Sequence, residues 1–410
     1  MHNSLDSALG RQRRLNSVGE SVLQIAPSAA AAYSLRSLTG GDPKVVRVRR
    51  SSGGEQDFTA SEVASGAMLS YVTEARTGWN IQATFNDSTA TITSASSTAT
   101  TSTVSFTGSG VTRVLPKSSY IAAEAGDQVV LNMSVSGLDS AMTFRIRKAN
   151  SNTTVGTATV NNGDNQDVTM NLTASSGYTG GYPHFTADAG SGEATVTINS
   201  VTVNGKSGFV ETWYDQSGNG KDAVQETAAN QPLIVSAGVV LTGLDFDGST
   251  SSRTLVAPSV TGLAGSLSIF SVSVRDATGN TVSLSNSSSG GRYFAIQEGG
   301  STSVANPRNI TSITVSDSVS VANRLTFAVT TGATSTSVGA NSSAVTTTTD
   351  DYGDDFSGTH INQIAIGVLR TASPTGYFNG RINEILVYNS DQTDNRSAVE
   401  TNINSHYSLF

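Results

Sequence analysis

Cysteine is absent from all 410 residues, which excludes disulfides and thiolate metal sites as sources of stability. Charged residues are few, at 14%, and the balance is acidic, with a net charge of −8. Neutralising phosphates needs a concentrated basic surface, so no nucleic-acid partner is expected. Outside 44–50 the basic groupings, such as Arg11, Arg13 and Arg14, are too small to change that. No apolar run approaches the ~20 residues that cross a bilayer, so membrane insertion is not expected either. The four histidines, His2, His184, His360 and His406, are scattered. They show no metal-ligand spacing and no neighbouring nucleophile motif.

What is plentiful is glycine, at 40 residues, together with serine and threonine. That composition suits many short strands joined by tight turns and opposes long helices, so the expected class is all-β. The length exceeds what one core usually serves, which predicts two sandwiches and a short arm. The arm is 1–25. Within it LDSALGRQRRL is a marginal amphipathic helix weakened by Gly10, and reads either as a docking arm or as a frayed terminus. Its arginines are not followed by an apolar segment, so it does not read as a secretory signal.

The stretch 208–235, GFVETWYDQSGNGKDAVQETAANQPLIV, organises the rest. Period-2 alternation puts Phe209, Glu211 and Trp213 on one face of a strand and Val210, Thr212 and Tyr214 on the other. Trp213 and Tyr214 are expected in the core. Asp215-Gln216-Ser217-Gly218-Asn219-Gly220 then turns the backbone sharply, with side chains suited to bonding nearby main chain. Asp215, Asn219 and Asp222 form an oxygen-rich loop read as a structural turn in preference to a metal site.

WYDQSGNGKDAVQ followed by NQP resembles a block shared by the catalytic domains of the arabinofuranosidase B family and by laminin-G-like (concanavalin-A-like) domains of bacteriophage structural proteins. AYSLRSL with VVRVRRSSGGEQDF, and GYFNGRINEILVYNSDQTDNRSAVETNINSHY, fit the same pattern. The resemblance covers about half the chain in separated blocks. It implies a laminin-G-like β-sandwich built from 26–78 and 207–410, interrupted by an inserted domain at 79–206.

Within the insert, strands are expected at 90–94, 103–106, 119–122, 128–136, 143–148, 154–160, 166–172, 184–187 and 194–203, a spacing that indicates a β-sandwich. Their order resembles a jelly-roll carbohydrate-binding module. Members of that family bind polysaccharide on aromatic platforms, and some hold structural calcium. In GYTGGYPHF glycines surround Tyr178, Tyr182, His184 and Phe185, which makes these four the candidate carbohydrate contacts, although rings in strands are more often packed than exposed.

Elsewhere, Val46 and Val48 should face inward and Arg47 and Arg49 outward, paired with acids such as Glu55 or Asp57 or solvated. A helix is expected over 59–75, capped by Thr59 or Ser61. Alternating strands follow at 244–249, 266–276, 292–297, 324–331 and 361–369. The chain closes with a strand over 381–388 and a helix over about 392–405, capped by Ser390 or Asp391, against whose end His406 and Tyr407 can pack. The Ser/Thr tracts 86–103 and 333–350 read as edge strands or hairpins.

Catalysis of glycoside cleavage needs two opposed carboxyl groups, about 5 Å apart in a retaining enzyme. Matching by motif, the window 285–300 offers only Glu298 and the window 366–376 offers no acid, so no catalytic residue is assigned and an enzyme is not expected. Acids cluster at Asp350, Asp351, Asp354 and Asp355 and at Asp245 with Asp247. The first group can supply oxygens to a structural calcium ion, or blunt a sheet edge as a solvated turn. The resemblance implies a phage virion protein, a capsid decoration, head fibre or tail-fibre component. It would be made in the host cytoplasm, joined to other virion proteins through its arm, homo-oligomeric, and would display its sandwiches to surface glycans. The competing classes are a glycoside hydrolase and a non-viral surface lectin.

Overall fold

The computed structural model describes residues 20–50, 54–76, 90–97, 101–113, 128–148, 153–172, 181–204, 207–236, 238–248, 253–258, 266–285, 293–298, 302–305, 312–315, 324–331, 335–349, 363–369 and 374–410. The expectations for 1–19 and for the strand at 119–122 lie outside them.

The chain is all-β, and its strands pair antiparallel in two separate systems. In the larger one, successive pairing runs from Glu55–Thr59 through Lys44–Arg50, Gly208–Trp213, Ala223–Val224 and Leu255–Pro258. It continues through Gln363–Ile366, Gly279–Ser285, Tyr293–Glu298 and Thr302–Ala305 to Ser312–Val315. A second layer runs Thr346–Thr349, Ser335–Ala340, Arg324–Thr331, Leu267–Ala277 and Asn379–Tyr388. The far side of Asn379–Tyr388 is shared by Val239–Phe246 and Ala31–Ser34. Leu233–Ser236 stitches the layers by pairing with strands of both.

Alternation along these strands builds the core. Val46, Val48, Val210, Trp213, Ile269, Val282, Leu284, Ile364, Ile366 and Ile385 meet in one cluster. Trp213 is fully buried, its ring 5.6 Å from that of Tyr33. Each such side chain contributes about 1.5–3 kcal/mol by leaving water. The opposite face of the second layer is not left wet. Phe270, Val272, Leu325, Phe327, Leu386 and Tyr388 pack beneath Val22 and Ala26 and beneath Val399 and Ile403 of the closing helix Arg396–Tyr407. That sheet therefore buries apolar side chains on both faces, which is why ILVY is an unbroken apolar run and LSIFSVSV carries apolar residues at both odd and even positions.

Three local expectations are corrected. A bulge between Val210 and Thr212 resets the alternation, since Val210 faces Val48, Thr212 faces Arg47 and Trp213 faces Val46. Trp213 therefore shares the inner face with Val210, while Phe209, Glu211 and Tyr214 are half-buried. The helix over 59–75 is two shorter ones, Ala60–Ser65 and Ala67–Val72, separated by Gly66 at φ 82°; a left-handed residue cannot continue a helix. Thr59 caps the first and completes a capping box with Glu62. The closing helix starts at Arg396, four residues late, because the Asp391 carboxylate accepts from the Thr393 N–H and holds a turn ahead of it.

The second system spans Glu74–Asn204. Gly163–Asn171, Gln128–Ser136, Ser102–Arg113 and Thr91–Ser97 lie in one path with Gly181–Asn204. Met142–Lys148 pairs with the first part of that long strand and with Thr154–Val160. The two short strands expected at 184–187 and 194–203 are thus one element with an irregularity between Asp188 and Glu193; both halves pair with Ser102–Arg113, while the other edge passes from Met142–Lys148 to Gln128–Ser136. Phe106, Leu131, Met133, Phe144, Ile146 and Val196 close a core distinct from the first. Glu74 lies opposite Val203.

Candidate functional site

The block 214–222 is used for main-chain bonding. Asp215 Oδ1 accepts from the Ala32 and Ser217 N–H groups, both at 2.9 Å. Its Oδ2 accepts from the Ser217 hydroxyl at 2.7 Å and the Lys221 N–H at 3.0 Å. Gln216 donates to the carbonyls of Ser34 and Arg36, each at 3.0 Å, and accepts from the Leu38 N–H at 2.8 Å. Asn219 donates to the Ala29 carbonyl, Asp222 accepts from the Asp215 N–H, and the Tyr33 hydroxyl donates to the Lys221 carbonyl. The turn requires φ of 86° at Gly218 and 65° at Gly220. Four donors saturate the Asp215 carboxylate, so the loop is a knot tying 29–38 to 215–222.

Beside it, Asp57 accepts from Arg47 at 2.7 Å, Lys44 at 2.8 Å and the Tyr214 hydroxyl at 2.7 Å. These bonds, that from Arg47 foremost, hold its carboxyl well below the usual carboxylate range. Asp245 faces Arg253 at 3.4 Å, yet burial raises its carboxyl.

Glu298 ends its strand at 1% exposure. The Thr326 hydroxyl donates to it at 3.2 Å, and Ser273 and the guanidiniums of Arg324 and Arg275 lie beside it. Burial pushes its carboxyl up. The groups facing it are thus hydroxyls and cations.

A cleft of about 540 Å³ opens where five elements converge. Leu35, Arg36 and Ser37 follow the strand Ala31–Ser34; Ala60, Val63 and Ala64 come from the first short helix; Leu241 and Thr242 from Val239–Phe246; Asn383 from the last strand; His406 and Tyr407 from the closing helix. Beneath it Arg36 makes a two-pronged pair with Glu384, Nε to Oε2 at 2.7 Å and Nη2 to Oε1 at 2.9 Å. Glu384 is 1% exposed, and Oε2 is also within 3.1 Å of the Ser34 hydroxyl and 3.2 Å of the Tyr407 hydroxyl. A carboxylate so deeply placed is tolerable only with such saturation. Burial, above all, raises Tyr407, and burial together with Arg36 lowers His406. The His406 and Tyr407 rings meet edge-on at 4.5 Å. Motif reasoning did not assemble this site. The available signal was Glu384 in RINEILVY, a lone acid inside an apolar strand, since such a residue requires a buried partner.

The sites expected from sequence fall elsewhere. Tyr182, His184 and Phe185 are on the long strand, where they pair in register with Arg147, Arg145 and Phe144. Their side chains, all of Tyr178, and Asp350, Asp351, Asp354 and Asp355 lie outside the described residues. Among the described residues no three His, Asp or Glu side chains are grouped to hold a metal ion, and no helix is long and apolar enough to cross a membrane.

No protein-family model and no curated protein matches the chain. Among solved structures, the CBM40 module of a Ruminococcus gnavus IT-sialidase bound to α2,3-sialyllactose is similar at 16% identity and a TM-score of 0.31, over 39% of this chain and 92% of that one. An arabinofuranosidase complexed with arabinofuranosyl-α-1,2-xylobiose is similar at 15% identity and a TM-score of 0.36, over 69% of this chain and 62% of that one. A structure described as a receptor binding domain is similar at 15% identity and a TM-score of 0.33, over 48% of this chain and 49% of the other. The chain thus spans less than two thirds of the length of the last two, and at these scores the likeness says nothing of what it binds or does.

Proposed function

We propose that this chain is a non-catalytic surface-display protein, a structural component of a phage virion that presents its β-sandwiches to glycans. The observation that carries the non-catalytic part is the fate of Asp215 and Asp222. In the block resembling a glycosidase family, Asp215 spends both oxygens on the Ala32, Ser217 and Lys221 N–H groups and the Ser217 hydroxyl, and one oxygen of Asp222 accepts from the Asp215 N–H. The surroundings of Glu298 support the same reading, because a general acid needs an opposed carboxylate and a reachable leaving group, whereas Glu298 is buried beside Thr326 and two guanidiniums.

The virion assignment rests on the sequence resemblance. Within it, the arm expected at 1–25 docks on other virion proteins through the part ahead of Val22, which is itself packed in the core, Tyr178, Tyr182, His184 and Phe185 contact sugar, the chain is homo-oligomeric, and Asp350, Asp351, Asp354 and Asp355 hold a structural calcium ion. Mass spectrometry of purified particles tests membership, with this chain expected among the structural proteins; its absence from particles overturns the assignment. Turnover of a chromogenic arabinofuranoside, lost in Glu298→Gln, would overturn the non-catalytic reading.

A further inference from the structure

The geometry points to the cleft beside Arg36 as a binding site for a neutral, polyhydroxylated ligand the size of one or two sugar rings. The inference rests on the glycan-display reading and gives it a location and a ligand class. Size comes first, because about 540 Å³ lies within the range of small-molecule sites. Chemistry comes next. The lining is mixed, with Leu35, Val63 and Leu241 apolar and Arg36, Asn383 and Tyr407 polar. A pyranose has this division, with C–H groups on its faces and hydroxyls at its rim.

Charge then narrows the class. Arg36 is neutralised in two-pronged fashion by Glu384, so the cleft offers no unmatched cation to a carboxylate or phosphate. A guanidinium carries five donors, and two of those of Arg36 are committed to Glu384.

The test uses the full chain and leaves the Arg36–Glu384 pair intact. Saturation-transfer NMR is recorded with glucose, galactose, mannose and arabinose, and with glucuronic acid as the charged control. Ala64→Trp and Thr242→Tyr each place a large ring among the lining residues from an exposed position on a different element, and thermal melting identifies which of the two keeps the fold. Binding of a neutral sugar that weakens about tenfold or more in the folded variant supports the site. A neutral sugar bound equally by wild type and variant overturns the site while leaving glycan display standing. Preference for glucuronic acid overturns the neutral class. Absence of binding by every sugar overturns the site, and silence on a polymer glycan array as well would remove the display reading with it.

Discussion

Asp215 shows how one side chain can fix a fold without touching a ligand. Its two oxygens hold the Ala32, Ser217 and Lys221 N–H groups and the Ser217 hydroxyl, and removing them leaves main-chain donors without partners. Asp215→Ala is therefore expected to cost about 3 kcal/mol in denaturant unfolding, and Asp215→Asn less, since the amide still accepts on one side. Glu298 gives a pH signature. Its folded pKa is raised by burial, so its contribution to stability is complete below the ordinary value of about 4.3 and is lost as pH rises through the folded value. Glu298→Gln should flatten that decline when melting temperature is followed from acid to neutral pH; an unchanged slope would place the dependence elsewhere. Asp57 has the opposite sign, because its depressed pKa makes its ion pairs stabilising above the ordinary carboxylate range and loses them in acid. At this scale the sequence was legible where alternation is uninterrupted, as for Val46, Val48 and Arg47. It was not legible at the bulge beyond Val210, since an inserted residue leaves no mark in the hydrophobic pattern.

At the scale of elements, the closing strand and helix hold the cleft. Arg36→Ala leaves Glu384 charged and buried, and is expected to destabilise by about 3–5 kcal/mol. Replacing both partners by methionine should recover most of that loss, and the difference in a double-mutant cycle measures their coupling. Ile403→Ala removes a side chain packed over Phe270, Phe327 and Tyr388 and should cost about 2–5 kcal/mol by chemical denaturation. That a strand and a helix end the chain was readable from the change of period after Tyr388. The start of the helix was not, because Ser390 and Asp391 both read as caps, whereas Asp391 holds a turn of its own on the Thr393 N–H and the helix begins only after Asn395. The cleft escaped for a similar reason: its walls come from five separated segments, and only pairing in space brings Arg36 to Glu384.

For the molecule as a whole, the all-β class followed from composition and turn chemistry, and the structure agrees. The strands that close the two cores do not mix, and the chain leaves and re-enters the larger system through paired segments. Glu74 faces Val203 across a ladder, and a side chain built on Gly208 would meet Val72 at 3.0 Å. Excising 74–206 and joining Thr73 to Ser207 through a short glycine linker should therefore leave a β-rich remainder that unfolds in one cooperative transition, measured by circular dichroism. A molten remainder would mean that the cores depend on one another.

The central idea, that these sandwiches hold glycans without altering them, is met most directly by a glycan array exposed to the full chain and read over time for both retained protein and released sugar. Stable, saturable retention with no sugar released is the expected outcome. Release of sugar from the array, or no retention on any glycan, would contradict it.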